Sequence, residues 1–211
     1  MKSMFNFENP VMQFLCRVAD LMIVNILFMV CSLPIFTIGA SLCALNQVTQ
    51  DMAFDSDSHL FKRFFSAFKS NFKQGTILWL ITVVIYAALV CDFVLIIGYF
   101  NGTASNVLVI LLALLLFLVT AVLSFMYPLI VRYENTMKEH MYNAMILAIT
   151  KFPKTILMTL LLLFPAFLLV VFPVVFVQTM VFWTIIGFAF ISFVVSSVYR
   201  PVFEELEKDK K

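Results

Sequence analysis

Few residues in this chain have the means to do chemistry, and most of them sit in apolar surroundings. Asp92 is a lone carboxylate inside the apolar run 76–100. A carboxylate within a membrane is costly and by default points to function, such as proton coupling or solute binding. Its plainer use is a hydrogen bond to a Ser, Thr or Asn on a neighbouring helix. Asn25, Asn46 and Gln47 are candidates to line the same polar pocket, or to join helices by hydrogen bonds, the commoner role of such side chains in lipid. His59 and His140 fall in polar connections without an HExxH or other paired spacing. Cys16, Cys31, Cys43 and Cys91 lie in apolar stretches with no CxxC pair, so they read as packing residues and not as metal or redox ligands. No phosphate loop, dinucleotide fingerprint or nucleophile motif occurs, and 5 glycines leave little material for a phosphate cradle. The expectation is a protein that is not an enzyme, with no metal and no cofactor.

Composition explains why these residues stand out. Of 211 residues, 63% are hydrophobic and 12% charged, with a mean hydropathy of +1.04. Soluble domains average about one-quarter charged residues, so lipid is the expected solvent. The net charge of +2 says little; the placement of the charges says more. The length suits one membrane domain, residues 1–211, without an appended soluble one. No small-residue cleavage site follows the first ten residues, so the first apolar segment is expected to stay as an anchor.

The positioning elements follow from the apolar runs. Residues 11–50 read as a first helical hairpin broken at Ser32-Leu33-Pro34, with Ser32 as a candidate cap. Its second arm, near 34–49, is short of the roughly 20 residues a span needs. The rival reading is a single kinked span followed by an interfacial helix. Gly39, Ala40, Ser41 and Ala44 would let helices approach closely there. A polar connection with three acids follows over 51–59. Then Phe61, Phe64, Phe65, Phe68 and Phe72 fall on one face of a helix over 60–74, with Lys62, Arg63, Lys69 and Lys73 elsewhere on it. A Phe face joined to a basic face is what lies in the membrane interface. Residues 76–131 form a second hairpin turning near Asn101-Gly102-Thr103. A polar loop over 132–154 leads to a third hairpin, 155–200, in which Pro165 and Pro173 are expected to kink. The charged tail over 201–211 is expected to fray. The fold class is an all-α polytopic bundle of about six membrane segments, five if the first hairpin is a single kinked span, with amphipathic surface helices.

Orientation comes from charge. All of the 14 Lys and Arg residues except Lys2 and Arg17 lie in the connections 51–75 and 132–154 or after Tyr199. Short basic connections stay in the cytoplasm. The charged loops and the C-terminus are therefore expected in the cytoplasm of a multi-pass plasma-membrane protein. The same rule favours the hairpin reading, with the N-terminus also inside. The two charged connections echo each other: a histidine, an amphipathic stretch, then Thr76-Ile77-Leu78 or Thr155-Ile156-Leu157 opening a span. Nucleic acid is not an expected partner, because the basic residues are spread along interfaces instead of gathered on one face.

Asn25, the block Ser-Leu-Pro-Ile-Phe-Thr-Ile-Gly-Ala over 32–40, Ala44-Leu45, and Ala-Phe-Lys-Ser-Asn-Phe-Lys-Gln over 67–74 together resemble the YesL family. These are bacterial integral membrane proteins of unknown function and about this length. The resemblance spans the chain in layout and is specific over residues 25–76. It implies a Gram-positive plasma-membrane protein, often encoded beside genes for carbohydrate uptake and polysaccharide degradation, and it implies no catalytic residue. Two functions follow as expectations. One is an accessory or regulatory component that meets a partner, such as a carbohydrate ABC importer, through Lys62, Arg63, Lys69 and Lys73. The other is a self-sufficient small-solute transporter built on Asp92, Asn25, Asn46 and Gln47.

Overall fold

The computed structural model describes residues 10–54, 59–100 and 102–208. The polar lead-in before Pro10, the acidic run 55–58, Asn101 and the last three residues lie outside the described residues. In chain order the helices are α1 (Pro10–Cys31), α2 (Ile38–Ala53), α3 (Leu60–Ser70), α4 (Phe72–Tyr99), α5 (Thr103–Arg132), α6 (Met137–Thr150), α7 (Phe152–Val171), α8 (Pro173–Gln178), α9 (Met180–Phe182) and α10 (Phe188–Lys208). A π-helical turn over Trp183–Gly187 joins α9 to α10, and the described residues contain no strand. The chain is an all-α polytopic bundle. Five helical stretches are long and apolar enough to cross a membrane: Val11–Cys31, Phe72–Tyr99, Thr103–Arg132, Phe152–Val171 and Met180–Lys208. Their outward faces carry exposed Val84, Val94, Ile110 and Val170. Such an apolar exterior needs lipid around it.

In the first apolar region, α1 is long and apolar enough to cross a membrane, whereas α2 is not among the helices that qualify by length and composition. With 16 residues, α2 is too short to cross, and it is buried on nearly every side, including Ala40, Cys43, Ala44, Leu45, Val48 and Thr49. Contacts at its two ends show where it lies. At the start, Gly39 packs on Gly75 near the beginning of α4; a Cβ on Gly39 would come 2.0 Å from the Gly75 carbonyl oxygen. At the finish, the Arg132 guanidinium at the end of α5 lies 4.1 Å from the Phe54 ring centre, and Arg200 of α10 donates to the Ala53 carbonyl at 2.9 Å. Both ends of α2 therefore meet the end of the bundle where α4 begins and α5 finishes, which we call the charged end. The turn before α2 is tight. The Thr37 hydroxyl donates to the carbonyls of Cys31 (2.6 Å) and Pro34 (2.7 Å), closing the last turn of α1. Neither hydroxyl caps the start of α2: Thr37 is its N-cap without a side-chain cap bond, and the Ser32 hydroxyl has no hydrogen-bond partner among the described residues. The end of α1 thus lies beside the start of α2, and Leu21, Val24 and Phe28 of α1 pack in one cluster with Leu45, Val48 and Met52 of α2.

The connection 132–154, expected as a loop, is mostly α6. Thr136 caps it in a reciprocal box: its hydroxyl accepts from the Glu139 N–H and the Glu139 carboxylate accepts from the Thr136 N–H at 2.8 Å. Both charged connections share one build, a short helix and a one-residue break (Asn71 or Lys151) before a span. In the tail, α10 continues through Pro201 to Lys208, and its acids are paired. Glu207 takes Arg132 at 2.7 Å, Glu205 takes Lys151 at 2.6 Å and Glu204 takes Arg200 at 2.9 Å. Of the expected kinks, Pro165 stays inside α7, whereas Pro173 opens α8 after a break at Phe172.

The contact between Gly39 and Gly75 leaves no room for a methyl group on either helix. Gly39→Ala is expected to cost about 1–3 kcal/mol, the usual range for overpacking, read as a lower thermal unfolding midpoint in detergent. Gly98, where an added Cβ meets nothing within 4 Å, is the control, and Gly98→Ala should leave the midpoint unchanged or slightly higher.

Candidate functional sites

At the charged end, α3 is pinned by Phe64 and Ala67, buried in the same cluster as Leu45, Val48 and Met52 of α2. That leaves Phe61 and Phe65 at 57% and 49% exposure, beside exposed Lys62 and Lys69. Lys62, Lys69 and Lys73 make no ion pair among the described residues. Arg63 differs: its Nε lies 3.6 Å from Asp51, whose carboxylate also accepts from Gln47 Nε2 at 3.0 Å. Burial pushes the Asp51 carboxyl up, and Arg63, Gln47 and Arg132 hold it down. Beside this group lies a polar pocket of about 710 Å³ between α3, the start of α4 and the connection from α5 to α6. Gln47, Arg63, Lys73, Gln74, Arg132 and Glu139 are among its lining. His140 is buried at the start of α6, and burial holds its imidazole below the usual range although Glu139 and the Asn135 backbone push it up.

The four intramembrane candidates stand in four different places. Asn25 is fully buried and spans the π-turn: Nδ2 donates to the carbonyls of Trp183 (3.1 Å) and Thr184 (2.7 Å), and Oδ1 accepts from the Ala189 N–H (2.9 Å). A π-turn disrupts the regular hydrogen-bond ladder, and in lipid the released groups have no water to turn to. One amide supplies both donor and acceptor, so Asn25 joins α1 to the last span. Asn46 donates to its own helix at Leu42 (2.9 Å) and faces a cavity of about 770 Å³. Gln47 belongs to the polar pocket just described. Asp92 is exposed on α4, makes no hydrogen bond among the described residues and lines neither cavity.

Sequence reading missed the polar residues of α10. Ser192 and Ser196 hold the Thr49 hydroxyl of α2 at 2.8 and 3.1 Å. Three residues on, the Tyr199 hydroxyl donates to the Ser124 carbonyl of α5. That carbonyl is four residues before Pro128, which has no N–H to offer it. The Tyr199 ring is held by Phe125 and stacks on Phe203 at 5.6 Å. The spacing of Ser192, Ser196 and Tyr199 on one helical face was the available signal, and their partners lie 75 to 147 residues away in sequence.

Removing the Tyr199 hydroxyl leaves a buried carbonyl unpaired, so Tyr199→Phe is expected to cost about 1–3 kcal/mol. In a Pro128→Ala background an alanine N–H closes the same carbonyl, and the cost of Tyr199→Phe should fall by more than half. A double-mutant cycle on thermal unfolding in detergent measures the coupling; strict additivity would contradict the assigned bond.

Comparison with known proteins finds a match to one family model over part of the chain. No curated protein and no solved structure matches the chain. Residues 21–93 match the model of a family described as "Protein of unknown function, DUF624", a stretch that runs from Leu21 in α1 through α2 and α3 to Phe93 in α4.

Proposed function

We propose that this is a non-catalytic component of the plasma membrane that serves a protein partner through its charged end. The observation that carries the reading is the face of α3, where Phe61 and Phe65 lie exposed beside Lys62 and Lys69 while Phe64 and Ala67 fix the helix to α2. An apolar and basic surface of this kind suits an acidic, partly apolar protein face. The resemblance to the YesL family supports a carbohydrate ABC importer as that partner, with this chain as an accessory or regulatory component. The alternative, small-solute transport through Asp92, Asn25, Asn46 and Gln47, has weaker support because those residues stand apart from one another.

Co-purification from a Gram-positive membrane in mild detergent tests the reading. Lys69→Glu with Lys73→Glu is expected to lower recovery of the importer subunit at least tenfold, with Asp92→Asn matching wild type. Undiminished recovery in the double variant together with lost solute flux in Asp92→Asn would transfer the function to the transporter.

The concentration of Lys and Arg supports a cytoplasmic position for the charged end. With five crossings, the start of α1 then faces outside, opposite to the hairpin expectation. In a cysteine-free background, Val11→Cys should react with a membrane-impermeant maleimide on intact cells, and Lys208→Cys only after permeabilisation. Labelling of Lys208→Cys on intact cells would reverse the orientation.

A further inference from the structure

We propose that the 770 Å³ cavity inside the bundle is a binding site for one hydrocarbon chain of a membrane lipid. Its walls come from α4, α5, α7 and α10, and Leu42, Leu45 and Asn46 of α2 form its floor at the charged end. No Asp, Glu, Lys, Arg or His belongs to the lining, so a charged group entering it would meet no counter-charge.

Most polar side chains of the lining are already committed within the protein. Thr82 donates to the Leu78 carbonyl (2.8 Å), Tyr86 pairs with Thr120 (3.0 Å), and Ser124 donates to the Ala121 carbonyl (2.7 Å). Ser192 is taken by Thr49, and Asn46 by its own helix. The Tyr127 hydroxyl and the Trp79 indole N–H are the two buried polar atoms of the lining without a hydrogen-bond partner among the described residues. Water or a sugar would need several free partners to leave bulk solvent, and these walls hold few. The surface presented to an occupant is the hydrocarbon of Leu, Val, Phe and Ala side chains. A cavity of this size falls within the range of ordinary ligand sites.

Access points to the same occupant. Val90, Phe93, Ala113, Ala166 and Val170 belong to the lining and are exposed. These residues lie away from the α2 floor, on helices whose outer faces meet lipid. A chain can enter sideways there without leaving a hydrocarbon medium, whereas α2 blocks passage to the charged end. The geometry is that of a pocket for a lipid chain, closed at one end.

The chain has 2 tryptophans, and they make the test direct. Trp79 lines the cavity, whereas Trp183 is outside the lining, among Phe164, Phe176, Phe182 and Phe188. The probe is phosphatidylglycerol carrying a 9,10-dibromostearoyl chain, titrated into Trp183→Phe protein in dodecylmaltoside micelles. Trp79 fluorescence should be quenched with saturation near one lipid per protein. Ala113→Phe with Ala166→Phe, both at exposed positions of the lining, should weaken the apparent affinity at least tenfold. Quenching without saturation, or unchanged by the two phenylalanines, would overturn the proposal and leave only lipid around the bundle. Should Trp183→Phe fail to fold, native mass spectrometry of the tryptophan-intact protein decides. One retained lipid, lost in Ala113→Phe with Ala166→Phe, supports the site, and equal retention or none refutes it.

Discussion

The backbones of α2 and α4 touch at Gly39 and Gly75, and most of the architecture depends on that approach. Without side chains at the crossing, α2 can enter the bundle among α1, α3, α4, α5 and α10. Once there it seats α3, supplies Thr49 and Gln50 to α10 and α5, and floors the large cavity. Lipid offers no hydrophobic drive for helix association, so close packing of small residues is one of the few forces that can hold such a helix in place. The same contact sets the start of α2 beside the start of α4.

A second constraint is that every backbone polar group in a lipid environment needs a partner from the protein. Among the interruptions of the helix ladders are the π-turn over Trp183–Gly187 and Pro128 in α5. Each is repaired by a side chain from far along the chain, Asn25 in the first case and Tyr199 in the second. These repairs cross-link the first span to the last and the last to α5. Asn25 is thereby fully engaged in holding the bundle together, as the commoner use of such residues suggested, and is not presented to a cavity.

The charged end is held by a different kind of interaction. Exposed ion pairs contribute little one by one, yet Arg132, Lys151 and Arg200 each reach an acid on the last turns of α10, and two of the three guanidinium or ammonium groups also engage Phe54 or its neighbour Ala53. The outcome is a helical end where a loose tail was expected. Lys62, Lys69 and Lys73, on or beside α3, are among the basic residues left outside these pairs. That division between structural and unspent cations is what makes the α3 face a candidate contact surface.

Membrane residence, the all-α class, the amphipathic helix over 60–74 and the segregation of charge follow from the sequence alone, because each depends on local composition or on a 3.6-residue period. The small residues after Pro34 likewise announced a close helix contact. What tertiary structure alone decided is where that contact leads. A 16-residue apolar helix has the same composition whether it crosses, re-enters or lies beneath the bundle, and only the pairing of Gly39 with Gly75 and of Phe54 with Arg132 distinguishes these. The partners of Asn25 and Tyr199 were equally hidden, since they are backbone atoms, which carry no residue-type signal. Asp92 drew attention as an acid well inside an apolar run, yet its place on the exposed face of α4 depends on how the helices are rotated against each other. The cavity has no signature in sequence at all: its lining comes from six helices, and its emptiness of charge is a property of their arrangement.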